Sequence, residues 1–214
     1  MFTKYGYNTI GIMLVVVFVL VVLSIFLSNN FIRIPLIIIS LILIIFTLNF
    51  FRDPNRTIPD KKNIVISPAD GRVLFVKDVI DDKFINGKAK MVAIFMSPLD
   101  VHVNRIPISG KVDYLNYIKG DYIAAFEDKA SERNERTEIG ITNPAGKVLF
   151  TQIAGFVARR IICDLKIGDS VNIGNRFGMI KFGSRVDVIV PVQWQVKVKK
   201  DDRVTAGETI LYEY

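Results

Sequence analysis

A chain with one histidine, one cysteine and one tryptophan among 214 residues can build few kinds of reactive centre. One Cys cannot form an internal disulfide, and one Cys with one His cannot supply a tetrahedral zinc site. The sequence has no paired histidines, no Cys-His nucleophile spacing, no Gly-Lys-Ser/Thr phosphate loop and no Gly-x-Gly-x-x-Gly run, so the common hydrolase and nucleotide motifs are absent. What remains is a Gly-Ser pair, Gly183-Ser184, flanked by two apolar runs within residues 176–191. Alone, such a pair reads as a turn. The other conspicuous residues have bland readings beside reactive ones. Cys163 reads as a small strand residue, Trp194 and Phe182 as core packing or a pocket wall, and Arg159-Arg160 as an exposed basic pair or a phosphate grip.

The elements that must position these groups fall into two regions. Residues 10–27 and 34–51 are uncharged runs of 18 residues each, separated by residues 28–33, which open with Ser28-Asn29-Asn30. As a helix each run would extend about 27 Å, close to the thickness of a bilayer's hydrocarbon core. Lys4 and Arg33 are the sole charges in residues 1–51, and the second run follows the first at once. A cleaved signal peptide is therefore a poor reading; residues 1–51 are expected to form a membrane anchor of two hydrophobic helices, a hairpin that either spans the bilayer or rests in one leaflet. Arg52, Arg56, Lys61 and Lys62 crowd the end of the second run, which predicts a cell-membrane protein whose remaining chain faces the cytoplasm.

Residues 52–214 carry 26 basic and 21 acidic side chains, a balance of about +5 that suits anionic headgroups. No basic-aromatic array points to nucleic acid. Short β-branched runs cut by Gly, Pro, Asn and Asp, as at residues 63–67, 72–76, 91–96, 111–114 and 147–153, predict a mainly β domain with some helix. Residues 121–138 are the least strand-like and read as a short helix or a long exposed loop. The pattern Asp-x-(x)-Val-x-x-Gly occurs in residues 166–174 and again in 200–207. Such sharp strand-turn-strand units resemble those of lipoyl/biotinyl-like β-sandwiches, and Ser67-Pro68-Ala69-Asp70-Gly71-Arg72-Val73 and Ile108-Ser109-Gly110-Lys111-Val112 fit the same style.

Five segments taken in order resemble the short form of the phosphatidylserine decarboxylase family, a pyruvoyl-dependent proenzyme. They are Phe51-Arg52-Asp53-Pro54-Asn55-Arg56, Ser67-Pro68-Ala69-Asp70-Gly71, Met96-Ser97-Pro98-Leu99-Asp100-Val101-His102-Val103-Asn104-Arg105, Asp128-Lys129-Ala130-Ser131 with Asn134-Glu135-Arg136, and Phe182-Gly183-Ser184-Arg185. The resemblance implies a decarboxylase domain, residues 52–214, that cuts itself before Ser184 into a β chain (1–183) and an α chain (184–214) held as a heterodimer. Ser184 would then be the nucleophile in self-cleavage, Gly183 the cleavage-site carbonyl, and the pyruvoyl group derived from Ser184 the cofactor, with no metal. Gly and Ser suit these roles because the hydroxyl must attack the preceding carbonyl and glycine lets the backbone distort at little steric cost. The pyruvoyl ketone would serve as the Schiff-base site for phosphatidylserine, yielding phosphatidylethanolamine and CO2.

The resemblance assigns Asp70 to the self-cleavage apparatus and makes His102, the only histidine, an acid or base. The bland readings are an Asx-turn for Asp70 and a strand position for His102. Longer members of the family carry His-x-x-His after Ser-Pro, whereas here the second position is Arg105. Either His102 serves both processing and decarboxylation, or Asp70 acts directly with Arg105 tuning its charge; Arg105 is also a candidate substrate-binding residue. The implied partners are the phospholipid membrane and phosphatidylserine, and a homo-oligomer is compatible with the sequence. An archaetidylserine decarboxylase, a pyruvoyl enzyme acting on another amine, and a membrane-tethered lipoyl-like carrier are the alternatives. The carrier rests on Asp128-Lys129-Ala130, although a lipoylated lysine normally crowns a tight hairpin and here a long polar stretch follows.

Overall fold

The two N-terminal apolar runs form helices α1 (Tyr7–Ile25) and α2 (Asn30–Phe50) in the computed structural model, which describes residues 1–127, 129–156, 160–181 and 183–214. They fold back on one another as a hairpin-like pair within a unit covering Met1–Asn55. Asn29 caps α2 by accepting from the Phe31 N–H at 2.9 Å. The hydroxyls of Ser24 and Ser40 donate back to the Val21 and Leu36 carbonyls at 2.6 and 2.8 Å, so neither needs water. Ser24, Ser40 and Thr47 are buried while Phe18, Ile42 and Ile45 stand exposed. That inversion of the water-soluble pattern leaves an apolar exterior suited to lipid. Both helices are long and apolar enough to cross a membrane.

The second unit, Arg56–Tyr214, is mainly β. Its strands among the described residues are β1 (Ile64–Ile66), β2 (Gly71–Asp81), β3 (Gly87–Met96), β4 (Val103–Arg105), β5 (Gly110–Ile118), β6 (Arg136–Asn143), β7 (Gly146–Ile153), β8 (Ile161–Cys163), β9 (Ser170–Val171), β10 (Arg176–Ile180), β11 (Ser184–Pro191), β12 (Gln195–Val196), β13 (Arg203–Val204) and β14 (Ile210–Glu213). A four-residue helix, α3 (Ala130–Arg133), sits in the long stretch between β5 and β6. Eight strands form one antiparallel sheet in the order β13-β2-β3-β11-β7-β6-β5-β9, and the smaller sheets are β1-β14-β12 and β4-β10-β8. Val73, Ile94, Ile139, Phe150, Phe177, Val186, Val188 and Leu211 are among the residues that fill the core. Val186, Val188 and Val190 alternate along β11, as the two-residue period of a strand requires.

The large sheet is built twice over. Ser67-Pro68-Ala69-Asp70-Gly71-Arg72-Val73 and Ile106-Pro107-Ile108-Ser109-Gly110-Lys111-Val112 lead into β2 and β5, and both strands carry an irregularity two residues later, between Val73 and Phe75 and between Val112 and Tyr114. Each is crossed by a copy of Asp-x-Val-x-x-Gly. Asp169 accepts from the Lys166 N–H at 2.8 Å and Asp202 from the Lys199 N–H at 2.9 Å. Gly174 and Gly207 close the two turns at φ +80 and +83, where a side chain would be strained. Lys166 and Lys199 each stand three residues before their aspartate, so the two copies match without a gap.

Candidate functional site

Ser184 opens β11 opposite Met96, the last residue of β3, and is fully buried. Its hydroxyl lies 3.4 Å from the Met96 sulfur, an acceptor too weak to hold it firmly. The Asn104 amide approaches the same sulfur at 3.8 Å, and the Asn104 carbonyl oxygen accepts from Gln152 at 2.9 Å. Gly183 adopts φ +59 with open space where a side chain would be. The backbone thus turns at the one residue whose carbonyl the serine hydroxyl would attack. Phe182, from the motif that carried the resemblance, lies outside the described residues.

On the far side of Ser184, Arg185 is buried and grips Asp187 with both edges of its fork, Nε to Oδ1 at 2.6 Å and Nη2 to Oδ2 at 2.9 Å. Its Nη1 donates to the Glu127 carbonyl at 3.2 Å, and its guanidinium stacks 4.7 Å above the Phe75 ring. Burial pushes the Asp187 carboxyl up, against the pull of Arg185.

His102 precedes β4 and is fully buried. Its Nδ1 lies 2.9 Å from the Asp100 carbonyl; a carbonyl only accepts, so Nδ1 carries the hydrogen and Nε2 is the basic nitrogen of the neutral ring. The His102 carbonyl accepts from the Ile180 N–H at 3.4 Å, which sets the histidine beside the strand end that leads to Gly183.

Asp70 accepts from the Ala206 N–H through Oδ1 at 2.8 Å and from Arg56 Nη2 through Oδ2 at 2.7 Å. Burial raises its pKa, outweighing the lowering by the Ala206 N–H and Arg56. The internal repeat separates its two bonds. Ser109 occupies the equivalent place before β5, and its hydroxyl accepts from the Ile173 N–H at 2.8 Å. The turn therefore needs one oxygen, which either residue supplies; the second carboxylate oxygen and the charge are peculiar to Asp70. Arg105 is buried, donates to the Gly174 carbonyl at 3.1 Å, and passes with Arg56 over the α-carbon of Gly207. Arg56, Asp70 and Arg105 so meet around residues 206–207.

The other conspicuous residues sit apart. Trp194 is buried and stacked on Tyr214 at 4.3 Å. Burial raises the Cys163 thiol, which disfavours a reactive thiolate. Arg160 is exposed and Arg159 lies outside the described residues. Asp128 lies outside them as well, while Lys129 immediately precedes α3 instead of crowning a hairpin. No group of three His, Cys, Asp or Glu side chains is placed to hold a metal among the described residues.

Sequence reasoning passed over Gly155 and gave no role to Asn134. A side chain on Gly155 would overlap the Gly183 carbonyl oxygen, and Asn134, fully buried, ties the Ala154 carbonyl to Ile123. Asn134 was visible as part of Asn134-Glu135-Arg136; Gly155 carried no signal beyond following a strand.

The chain thus combines a mainly β unit, in which a half-buried glycine leads into a buried serine at a strand start, with an apolar helix pair. The family profile described as phosphatidylserine decarboxylase matches residues 43–212. A protein of Pelodictyon phaeoclathratiforme named phosphatidylserine decarboxylase proenzyme is 48% identical over 216 residues, covering 100% of both chains. Proteins of the same name from Chlorobium limicola (52% identical, 83% of each chain) and Chlorobaculum tepidum (51% identical, 78% of this chain and 77% of the relative) are also similar. The chain belongs to the phosphatidylserine decarboxylase family.

Proposed function

We propose that this protein converts phosphatidylserine to phosphatidylethanolamine and CO2 after cutting itself between Gly183 and Ser184. The observation that carries this reading is the junction itself: a buried serine at the start of β11, weakly held by a thioether, behind a glycine at φ +59. The Ser184 hydroxyl attacks the Gly183 carbonyl carbon, the C–N bond breaks, and the amide becomes an ester with a free Ser184 amine. Removal of the Ser184 α-proton expels the Gly183 carboxylate and leaves a dehydroalanine, which tautomerises to an imine; water then releases ammonia and leaves a pyruvoyl group at position 184. Small Gly183, the turn and the burial fit that group. When formed, it supplies the electron sink for loss of CO2 from the serine headgroup.

The chain's own residues position and move protons. His102 acts as acid and base through Nε2; its burial, its fixed Nδ1 and its place beside the end of β10 support that role. Asp70 supplies a fixed negative charge, supported by the second oxygen that the turn does not require. Arg105, spent on the turn at Gly174, tunes that charge from behind Gly207. The apolar helices hold the enzyme at its lipid substrate, and the crowding of Arg52, Arg56, Lys61 and Lys62 after the second run supports a catalytic unit on the cytoplasmic side.

Fragment masses of the purified membrane protein test the reading. The expected result is two chains, 1–183 and 184–214, the shorter with a borohydride-reducible carbonyl at its N-terminus, and a Ser184→Ala protein that stays whole and inactive. An active protein of full length overturns it. Turnover of ester and ether serine lipids side by side decides the substrate's linkage.

A further inference from the structure

We propose that Gly155, held in place by Asn134, is the seat of the Gly183 carbonyl and positions it for attack by Ser184; the inference rests on the self-cleavage reading above. The scissile carbonyl is backed by bare backbone. A β-carbon on Gly155 would overlap the Gly183 oxygen, would stand 3.1 Å from its carbonyl carbon, and would stand 3.2 Å from the Ala125 β-carbon. Gly183 itself has open space on its side-chain face, so the steric definition of the carbonyl comes from the segment opposite it.

That segment is fixed by one side chain. The Asn134 amide donates to the Ala154 carbonyl at 2.7 Å and to the Ile123 carbonyl at 2.8 Å, while its oxygen accepts from the Ile123 N–H at 3.0 Å. Asn134 thereby ties the residue before Gly155 to the segment that carries Ala125. The Ala154 N–H donates to the Glu135 carbonyl at 2.9 Å and reinforces the same tie. A buried amide with three bonds cannot rotate without orphaning polar groups, so the seat is rigid. Acyl shift needs that rigidity, because the hydroxyl must approach the carbonyl carbon along one direction and displacements of about 1 Å can cost on the order of 100-fold in rate.

Gly155 and Asn134 are positioning residues, and the ester step reads them out separately from folding. Proenzyme synthesised in vitro with phospholipid vesicles is followed by mass, with and without hydroxylamine, which attacks the Gly183–Ser184 ester and leaves a Gly183 hydroxamate and a free Ser184 amine. For Gly155→Ala the expected result is a parent-like circular dichroism spectrum, cleavage slowed about 100-fold, and hydroxamate formed more slowly in the same proportion, since ester formation is the step impaired. Adding Ala125→Gly removes the lateral crowding and leaves the clash with the carbonyl, so cleavage stays slow. Asn134→Asp keeps the acceptor for Ile123, loses both donors, and slows cleavage about tenfold, equivalent to about 1.4 kcal/mol in the barrier. Parent-rate cleavage of Gly155→Ala, a parent-rate yield of its hydroxamate, or rescue by Ala125→Gly overturns the inference. If Gly155→Ala does not fold, Asn134→Asp decides, and parent-rate cleavage there overturns it. A parent protein that never cuts at Gly183-Ser184 removes the self-cleavage reading instead; a parent that cuts beside a Gly155→Ala that cuts equally removes this inference alone.

Discussion

Asp70 carries two jobs on two oxygens, and the second half of the sheet contains the control for the first. Ser109 holds the equivalent turn by accepting from Ile173, as Asp70 holds its own by accepting from Ala206. Asp70→Ser is therefore a substitution that the fold already makes elsewhere. The serine retains the turn acceptor and removes the charge, the Arg56 bond and the field around Arg105. Arg56 is largely buried and loses its closer carboxylate, keeping the Glu208 contact at 3.9 Å, so a stability loss of about 1–3 kcal/mol is expected. Arg56→Met in the same chain should recover most of it. Thermal melting of the single and double variants in a Ser184→Ala background measures this. Neither variant is expected to cleave when Ser184 is restored. A cleavage time course matching the parent in Asp70→Ser would reduce Asp70 to a turn residue and leave His102 as the one titratable candidate.

Strand β11 begins with Ser184 and continues at once into the Arg185–Asp187 pair, so anchoring the pair anchors the serine. Arg185→Met leaves the Asp187 carboxylate buried against its own solvation, and a loss of about 3–5 kcal/mol is expected, with Arg185→Met/Asp187→Leu regaining most of it; denaturant melts of the two proteins check this, and a single variant as stable as the parent would mean that the pair holds nothing. Further along the sheet, β6 places Glu138 against Lys83, Tyr114 and Arg136. Burial alone would raise its pKa, but those three partners outweigh it and hold the carboxyl below its ordinary value. A lowered folded-state pKa gives stability that is present above the unfolded value and is lost as pH falls through the folded one. Glu138→Gln should flatten the acid-side fall of the melting temperature below the ordinary carboxylate range; an unchanged slope would place the acid sensitivity elsewhere. How far such elements were legible depended on periodicity. The β-branched centres of β2, β3, β5 and β7 showed in the sequence, but their ends did not, because Lys77, Asp78 and Asn116 extend the strands on faces that need no apolar residue. The Asp-x-Val-x-x-Gly repeat was legible because identical turns demand identical residues. Gly155 beneath Gly183 was not, because that contact depends on how β7 lies beside β11, and no local pattern encodes that neighbour.

At the scale of the molecule, cleavage before Ser184 would divide the catalytic unit without dividing its fold. The 31 residues from Ser184 to Tyr214 hold β11, β12, β13 and β14. Of these, β11 lies inside the large sheet with β3 on one side and β7 on the other, β13 lines its edge on β2, and β14 pairs with β1 in a separate sheet. Tyr212 crosses from β14 to the Val188 carbonyl at 2.7 Å, so the fragment is braced internally between the sheets it joins. Removing it would strip both neighbours of β11 of their ladder bonds and expose Val186, Val188 and Leu211 from the core. The shorter fragment is thus expected to stay bound after processing, as one half of a heterodimer whose dissociation and unfolding are a single event. Size exclusion after processing should show both fragments in one peak at every dilution, and in a urea titration release of residues 184–214 should coincide with loss of the β-sheet circular dichroism signal. Release by dilution alone, or at a urea concentration where the sheet signal is intact, would mean that the ladder around β11 does not hold the halves together.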